Sequence, residues 1–338
     1  DNCTDRTAEI ASQHGAEVYS RESTTEIGKG YALNKLLGEI KNSHPDGYDG
    51  YFVFDADNVL NSDYFERMNN TFSAGNDIVT SYRNSKNYGF NWVSAGYALW
   101  FLRESRYLNG ARSAIGTSCH VSGTGFLFSR KIADEIGGWP FHMLTEDIEF
   151  SIHNITRGRK IAYCQEAELY DEQPVKFMQS WRQRLRWTRG YFQVFGGYGK
   201  DLVKGAFHGS FACFDMSMTI MPAFILSASM IVLNVTIGIW GALIGDDIRI
   251  ALVSLAKTFG NAYLMLGLIG VVTTITEWGH IHATTFQKIK AAVTFPLFMF
   301  TYIPIAINAI FSRAGWDPIE HTMSVKKLRD KGFEVGNK

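Results

Sequence analysis

Three almost charge-free runs near the carboxyl end constrain this chain more than any other feature. Residues 216–244 contain no Asp, Glu, Lys or Arg, 251–276 carry only Lys257, and 291–311 again have none. At about 1.5 Å per residue, each run is long enough to cross ~30 Å of hydrocarbon as a helix. Polar breaks at Gly245-Asp246-Asp247 and Glu277-Trp278-Gly279-His280 separate them. The first two hundred positions are charged and mixed, so the 338 residues must occupy two environments. The pattern predicts a soluble domain over 1–175, an amphipathic interfacial segment over 176–212, a membrane region of about three spans over 213–312, and a polar tail over 313–338. Lys326, Lys327, Arg329 and Lys331 in the tail favour the cytoplasmic side, whereas three spans would place it outside. A kinked or re-entrant pair around Pro296 and Pro304, or an extra segment within 206–224, would remove that conflict.

Ahead of the apolar runs, helix-like and strand-like segments alternate, which predicts an α/β domain with a mostly parallel sheet flanked by helices. Expected strands cover 17–20, 51–54, 77–82, 125–128 and 161–168. Expected helices cover 30–41, 62–70, 91–111, 146–156 and 176–200. The formal net charge of zero argues against a nucleic-acid partner. Cys3, Cys119, Cys164 and Cys213 are widely spaced without a C-x-x-C pair, which fits reduced thiols in a domain facing the cytoplasm.

Chemistry concentrates in three short motifs. Asp55 and Asp57 follow the aromatic and β-branched run Tyr51-Phe52-Val53-Phe54, so two carboxylates end a buried strand, where ligands for a hard cation and a diphosphate are wanted. Glu146 and Asp147 follow Thr145 at a helix start; they suit dipole complementation and also a rigidly held general base. Gln183, Arg186 and Trp187 stand at i, i+3 and i+4 and share one helix face. Lys29 lies between Gly28 and Gly30, where backbone can approach a ligand closely, and lacks the spacing of a P-loop. Arg182, Arg184 and Arg189 read as snorkelling arginines of an interfacial helix. His120, His142 and His153 read as structural.

In this order, the motifs resemble the membrane-bound family-two glycosyltransferases that polymerise β-linked sugars, such as cellulose, chitin, hyaluronan and poly-N-acetylglucosamine synthases. The resemblance is close over roughly 1–200 and architectural beyond. It implies a GT-A-type domain and transfer from a UDP-sugar donor to a glycan or lipid acceptor. Asp57 would hold Mg²⁺ or Mn²⁺, and Asp55 would contact the donor. Asp147 would act as the base with Glu146 in support. Asp1 would recognise uracil, and Lys29, Gln183 and Arg186 would bind the donor. Trp187 would meet the acceptor sugar, together with Gly123 and Thr124 of the small-residue loop. His120-Val121-Ser122-Gly123-Thr124 departs from the Phe-x-Cys-Gly-Ser of cellulose synthases, which counts against cellulose as product. Relatives carry an upstream strand and span, so Asp1–Asp5 reads as the turn after a first strand of a longer protein. The resemblance also implies residence in a bacterial cell membrane among membrane lipids, with a cytoplasmic catalytic domain and accessory subunits that the sequence does not name. Single addition to a lipid, and a non-catalytic membrane scaffold, are the competing readings.

Overall fold

The computed structural model describes residues 1–312 except 221, 246 and 247, together with Lys327 and Asp330; side chains at 222–228, 248 and 250 are outside the description. The expected tail over 313–338 and its basic cluster therefore lie almost wholly outside the described residues.

The first half runs α1 (Thr7–Gln13), α2 (Lys29–Ser43), β1 (Gly50–Val53), β2 (Val59–Leu60), α3 (Tyr64–Ser73), β3 (Ile78–Ser85) and α4 (Trp92–Arg103). A π-helical turn, Glu104–Asn109, follows; then come α5 (Gly110–Ala114), β4 (Phe126–Ser129), α6 (Arg130–Ile136), α7 (Glu146–Ile155) and β5 (Ala162–Asp171). The expected single helix over 91–111 is thus α4, the π-helical turn and the start of α5. Asn91 starts α4 with a capping box, its side chain accepting from the Val93 and Ser94 amides. Ser129 caps α6, which ends at Gly137 in the left-handed region.

The strands form one sheet in the order β1-β4-β3-β5-β2. Only β3 and β5 pair in parallel; β1 with β4, β3 with β4, and β2 with β5 are antiparallel. The sheet is therefore mixed, which corrects the expected mostly parallel one. β4 returns between β1 and β3 against both, yet all four of its residues are buried. Helices on both faces give an inner strand the same continuous apolar run whichever way it points, so burial carries no direction. The expected strand over 17–20 does not form, and those residues join no sheet among the described residues. Trp139, Phe126, Phe128, Phe141 and Phe150 stack in the core between β4, α7 and the loop before α7.

The second half comprises α8 (Phe177–Phe207), α9 (Phe211–Ile220), α10 (Pro222–Ile244), α11 (Ile248–Thr276), α12 (Thr285–Phe300) and α13 (Tyr302–Phe311). Ala251–Thr276 and Thr285–Phe311 are long and apolar enough to cross a membrane, and Ser229–Ile244 is a shorter apolar stretch. A break at Thr301 divides the last run between α12 and α13, with Pro296 inside α12. Both helices lean on the first half: the Gln287 amide donates to Gly89 O (2.8 Å), and Tyr302 and Phe298 pack on Trp100 and Tyr97 of α4. The turn between α11 and α12 docks on the sheet. Tyr82 hydrogen-bonds Glu277, Asn84 Nδ2 donates to His280 O (2.7 Å), and His280 Nδ1 meets Glu168 (3.0 Å).

Two of the three arginines expected to snorkel, Arg184 and Arg189, do otherwise. Arg184 is fully buried, donates to Thr301 Oγ1 (2.6 Å), and lies over the Phe298 and Tyr302 rings. Arg189 donates to Ala309 O (2.9 Å). Both tie α8 to α13, because a guanidinium can satisfy helix-end carbonyls and stack on aromatics at once. Arg184→Ala is expected to lower stability by about 3 kcal/mol, the scale for emptying a large buried site. Arg184→Met, which keeps most of the volume and removes a buried charge, should lose much less. Thermal unfolding in detergent checks this: equal losses for the two variants would mean that charge, not volume, dominates.

Candidate active site

The site forms at the edge where β1 ends. The turn after Val53 is pinned by its own polar groups: the Asp55 amide donates to Thr124 Oγ1 (2.9 Å) and Asn58 Oδ1 (3.1 Å), and Thr124 Oγ1 bonds Asn58. Lys29 opens α2 and reaches across to this turn, its Nζ 2.6 Å from Asp55 Oδ1 and 2.7 Å from Gly123 O. One ammonium thus joins Lys29, Asp55 and the 122–124 loop. Gly123 has φ 79°, a conformation that favours glycine, and a Cβ there would lie 3.5 Å from Arg83 Nη1 and 3.9 Å from Asp147 Oδ2. The Asp147 carboxylate accordingly faces the same loop.

Glu146 and Asp147 open α7, but Thr145, expected as its cap, makes no side-chain capping bond. Burial, then the neighbouring Asp147 charge, pushes the Glu146 carboxyl up, with Lys29 and Arg186 pulling against them. Burial also raises Asp147, opposed by the Ile148 amide and Lys29. Two adjacent half-buried carboxylates therefore hold protons more tightly than free ones, which moves them toward base work near neutral pH.

α8 lies directly on this helix start. A Cβ at Gly190 would come within 2.5 Å of Thr145 Oγ1. Arg186 has no hydrogen bond or ion pair among the described residues, and its charge acts on Glu146. The Gln183 Oε1 atom is buried without a partner among them. Trp187 is less open than a free sugar platform: its ring meets Tyr97 (5.7 Å) and Phe101 (6.0 Å) edge-on, in a cluster with α4 and α13.

Asp57 sits in a charged cluster that the motifs did not disclose. Its Oδ2 accepts from the Glu172 amide (2.8 Å) and lies 3.6 Å from Lys86 Nζ, which also pairs with Glu172 (3.8 Å) and bonds Asp57 O. Arg83 donates to Asp171 Oδ2 (2.8 Å) and Ser122 O (2.7 Å) while stacking 3.7 Å from the Phe101 ring centre. Burial raises the Asp171 carboxyl, and the charges of Asp57 and Asp55 add to it against Arg83. Among the described residues no three His, Cys, Asp or Glu side chains converge as a metal cage. The donor set still fits a hard divalent ion, which takes one or two carboxylates and completes its shell with phosphate oxygens. Arg83, Lys86, Asp171 and Glu172 could have been suspected only as charges in otherwise buried stretches at the ends of β3 and β5.

Asp1 is tied to the start of α2 through Arg21. Its carboxylate pairs with the buried Arg21 (2.7 Å), which lies over the Tyr31 ring at the start of α2. His120 is buried, receiving Arg112 Nη1 at its Nδ1 (2.6 Å) and facing Glu104 through Nε2 (3.4 Å). Although burial opposes it, His120 with Ser122 and Arg83 holds the Glu104 carboxyl at about 2.

Comparison with known proteins identifies the family. Residues 1–190 match the family described as "Glycosyltransferase like family 2". The chain is 26% identical to the probable glycosyltransferase YdaM of Bacillus subtilis over 56% of this chain and 46% of that one. It is 26% identical to β-monoglucosyldiacylglycerol synthase of Synechocystis over 59% and 41%. It is 28% identical to poly-β-1,6-N-acetyl-D-glucosamine synthase of Staphylococcus aureus over 49% and 39%. It spans less than half the length of each of these relatives. A lysine, a guanidinium and clustered carboxylates meet at the edge of a mixed α/β sheet, and the family match extends over more than half the chain: it belongs to the family 2 glycosyltransferases, enzymes that pass a sugar from an activated donor to an acceptor.

Proposed function

We propose that this chain elongates a β-linked glycan from a UDP-sugar with inversion at the anomeric carbon, anchored by its carboxyl-terminal helices in a bacterial cell membrane. The observation that carries this reading is Lys29 bridging Asp55 to the 122–124 loop that also faces Asp147. The acceptor hydroxyl oxygen forms the new bond to the anomeric carbon as the bond to UDP breaks, and its proton passes to Asp147. Burial keeps the proton affinity of that carboxylate high, with Glu146 beside it in support. Lys29 and Arg186 draw the departing diphosphate, while Asp1 and Gln183 hold the nucleotide end. Asp57 would hold Mg²⁺ or Mn²⁺, which neutralises diphosphate charge when bound. Gly123, Thr124 and Trp187 line the acceptor side.

Trp187 favours a second reading. Its ring is spent on Tyr97 and Phe101, which leaves less of it for a growing chain and supports a single transfer to a membrane lipid. Product size separates the two. Under the first reading, detergent-purified protein given a large excess of UDP-sugar yields a ladder of lengthening products. A single product one sugar heavier than its acceptor overturns polymerisation and establishes the lipid reading.

A further inference from the structure

A cavity of about 340 Å³ lies away from the carboxylate edge, between the start of α4 and the start of α12. Tyr88, Phe90 and Trp92 form one wall, and Phe286, Lys290 and Thr294 the other. Its size suits a small ligand or a lipid headgroup with part of its chains. Its chemistry decides between them. The Asn91 amide is spent on Val175 O (2.7 Å) and the α4 cap, and the Gln287 amide on Gly89 O and the Thr284 amide. Thr284 Oγ1 bonds Gln287, and Thr294 Oγ1 donates to Lys290 O (3.0 Å). These amides and threonine hydroxyls are engaged within the chain, and the Tyr88 hydroxyl is buried out of reach of solvent, which leaves the lining poorly placed to recognise sugar hydroxyls. The Lys290 ammonium, by contrast, has no hydrogen bond or ion pair among the described residues.

The surroundings are apolar and outward-facing. Phe90 and Phe286 are 56% and 74% exposed at the cavity, and Ile289, Val293 and Leu297 continue an exposed stripe along α12. This end of α12 is also the end nearest the sheet, because the preceding turn docks on Tyr82 and Asn84. Lys290 stands about 8 Å along the axis from the helix start, the depth at which a lysine of a membrane helix reaches lipid phosphates. We infer that this cavity binds a phospholipid with an anionic headgroup, its phosphate on Lys290 and its acyl chains along Ile289, Val293 and Leu297. The segment from Lys86 to Trp92 joins this site to the acidic edge, since Lys86 pairs with Asp57. The inference concerns a lipid site only and stands whichever acceptor the enzyme uses.

The test uses the full chain in detergent with equimolar phosphatidylglycerol and phosphatidylcholine of identical chains, read by native mass spectrometry. Wild type should retain phosphatidylglycerol over phosphatidylcholine roughly fivefold, the contribution of one lysine at an anionic lipid surface. Lys290→Gln should retain the two equally, with its lipid-free thermal midpoint unchanged. Ala95→Leu, which fills the cavity floor from α4, should retain neither above the level of a detergent blank. A phosphatidylglycerol preference that survives Lys290→Gln overturns the inference. So does complete displacement of the lipid by excess glycerol 1-phosphate, which would show a site for soluble phosphate without chain contacts.

Discussion

Asp147→Asn is expected to lose ~10²–10⁴-fold of sugar transfer, the usual contribution of a general base, while binding UDP about as well as the parent. The carboxamide keeps the shape at the start of α7 but cannot take the acceptor proton. A variant that also fails to bind UDP would instead make Asp147 an organiser of the nucleotide site. The same pair sets a pH dependence. Burial raises both carboxyls above their ordinary 4.5 and 3.8, so the base is protonated and idle at low pH, and activity climbs as pH passes through the raised titration. Stability moves the other way. Below the unfolded values both states hold the protons and no difference arises; as pH rises beyond them the unfolded chain releases protons that the folded pair retains, and folding loses free energy. Because Arg186 draws Glu146 down, Arg186→Ala should shift the rising limb of the pH–rate profile upward. A limb that stays in place would separate Arg186 from the pair.

Asp57→Asn should reduce transfer at least ~10²-fold. Loss of a group that merely supports a metal ligand costs 10–100-fold, and loss of the ligand itself costs no less. A carboxamide is a poorer partner for a hard cation, so part of the loss should return at elevated Mn²⁺. The fold should survive, since Lys86 keeps Glu172 as a partner 3.8 Å away. Turnover near that of the parent, or full activity in excess chelator, would remove Asp57 from the metal site.

Much of the candidate site was legible because each motif has a local cause. A short apolar strand must end in a turn, so Asp55 and Asp57 fall at the sheet edge; a Thr-Glu-Asp run before an apolar helix starts that helix. Lys29 beside two glycines opens α2 as a flexible reach toward Asp55. What was illegible depends on distant partners. Strand direction in the sheet is decided by which neighbour β4 meets, and the alternation of residues is the same either way. Arg184 looked like its neighbours Arg182 and Arg189 because nothing local marks the approach of Phe298 and Tyr302 more than a hundred residues later. Arg83 and Lys86 escaped for the same reason: their carboxylate partners come from β5 and from the β1 turn.

The turn between α11 and α12 bears on the order in which the protein is made. Tyr82 and Glu277 are 195 residues apart, and Asn84 and His280 are 196 apart. At synthesis rates of ~5–20 residues per second, the sheet, complete once β5 has emerged, waits roughly five to twenty seconds before these partners leave the ribosome. During that interval Tyr82, Asn84 and Glu168 remain wetted, and this polar edge helps the nascent domain stay soluble beside its own emerging apolar helices. When the turn arrives it replaces water on groups already fixed in position, so the first half of the chain serves as a mould on which the last helices are set.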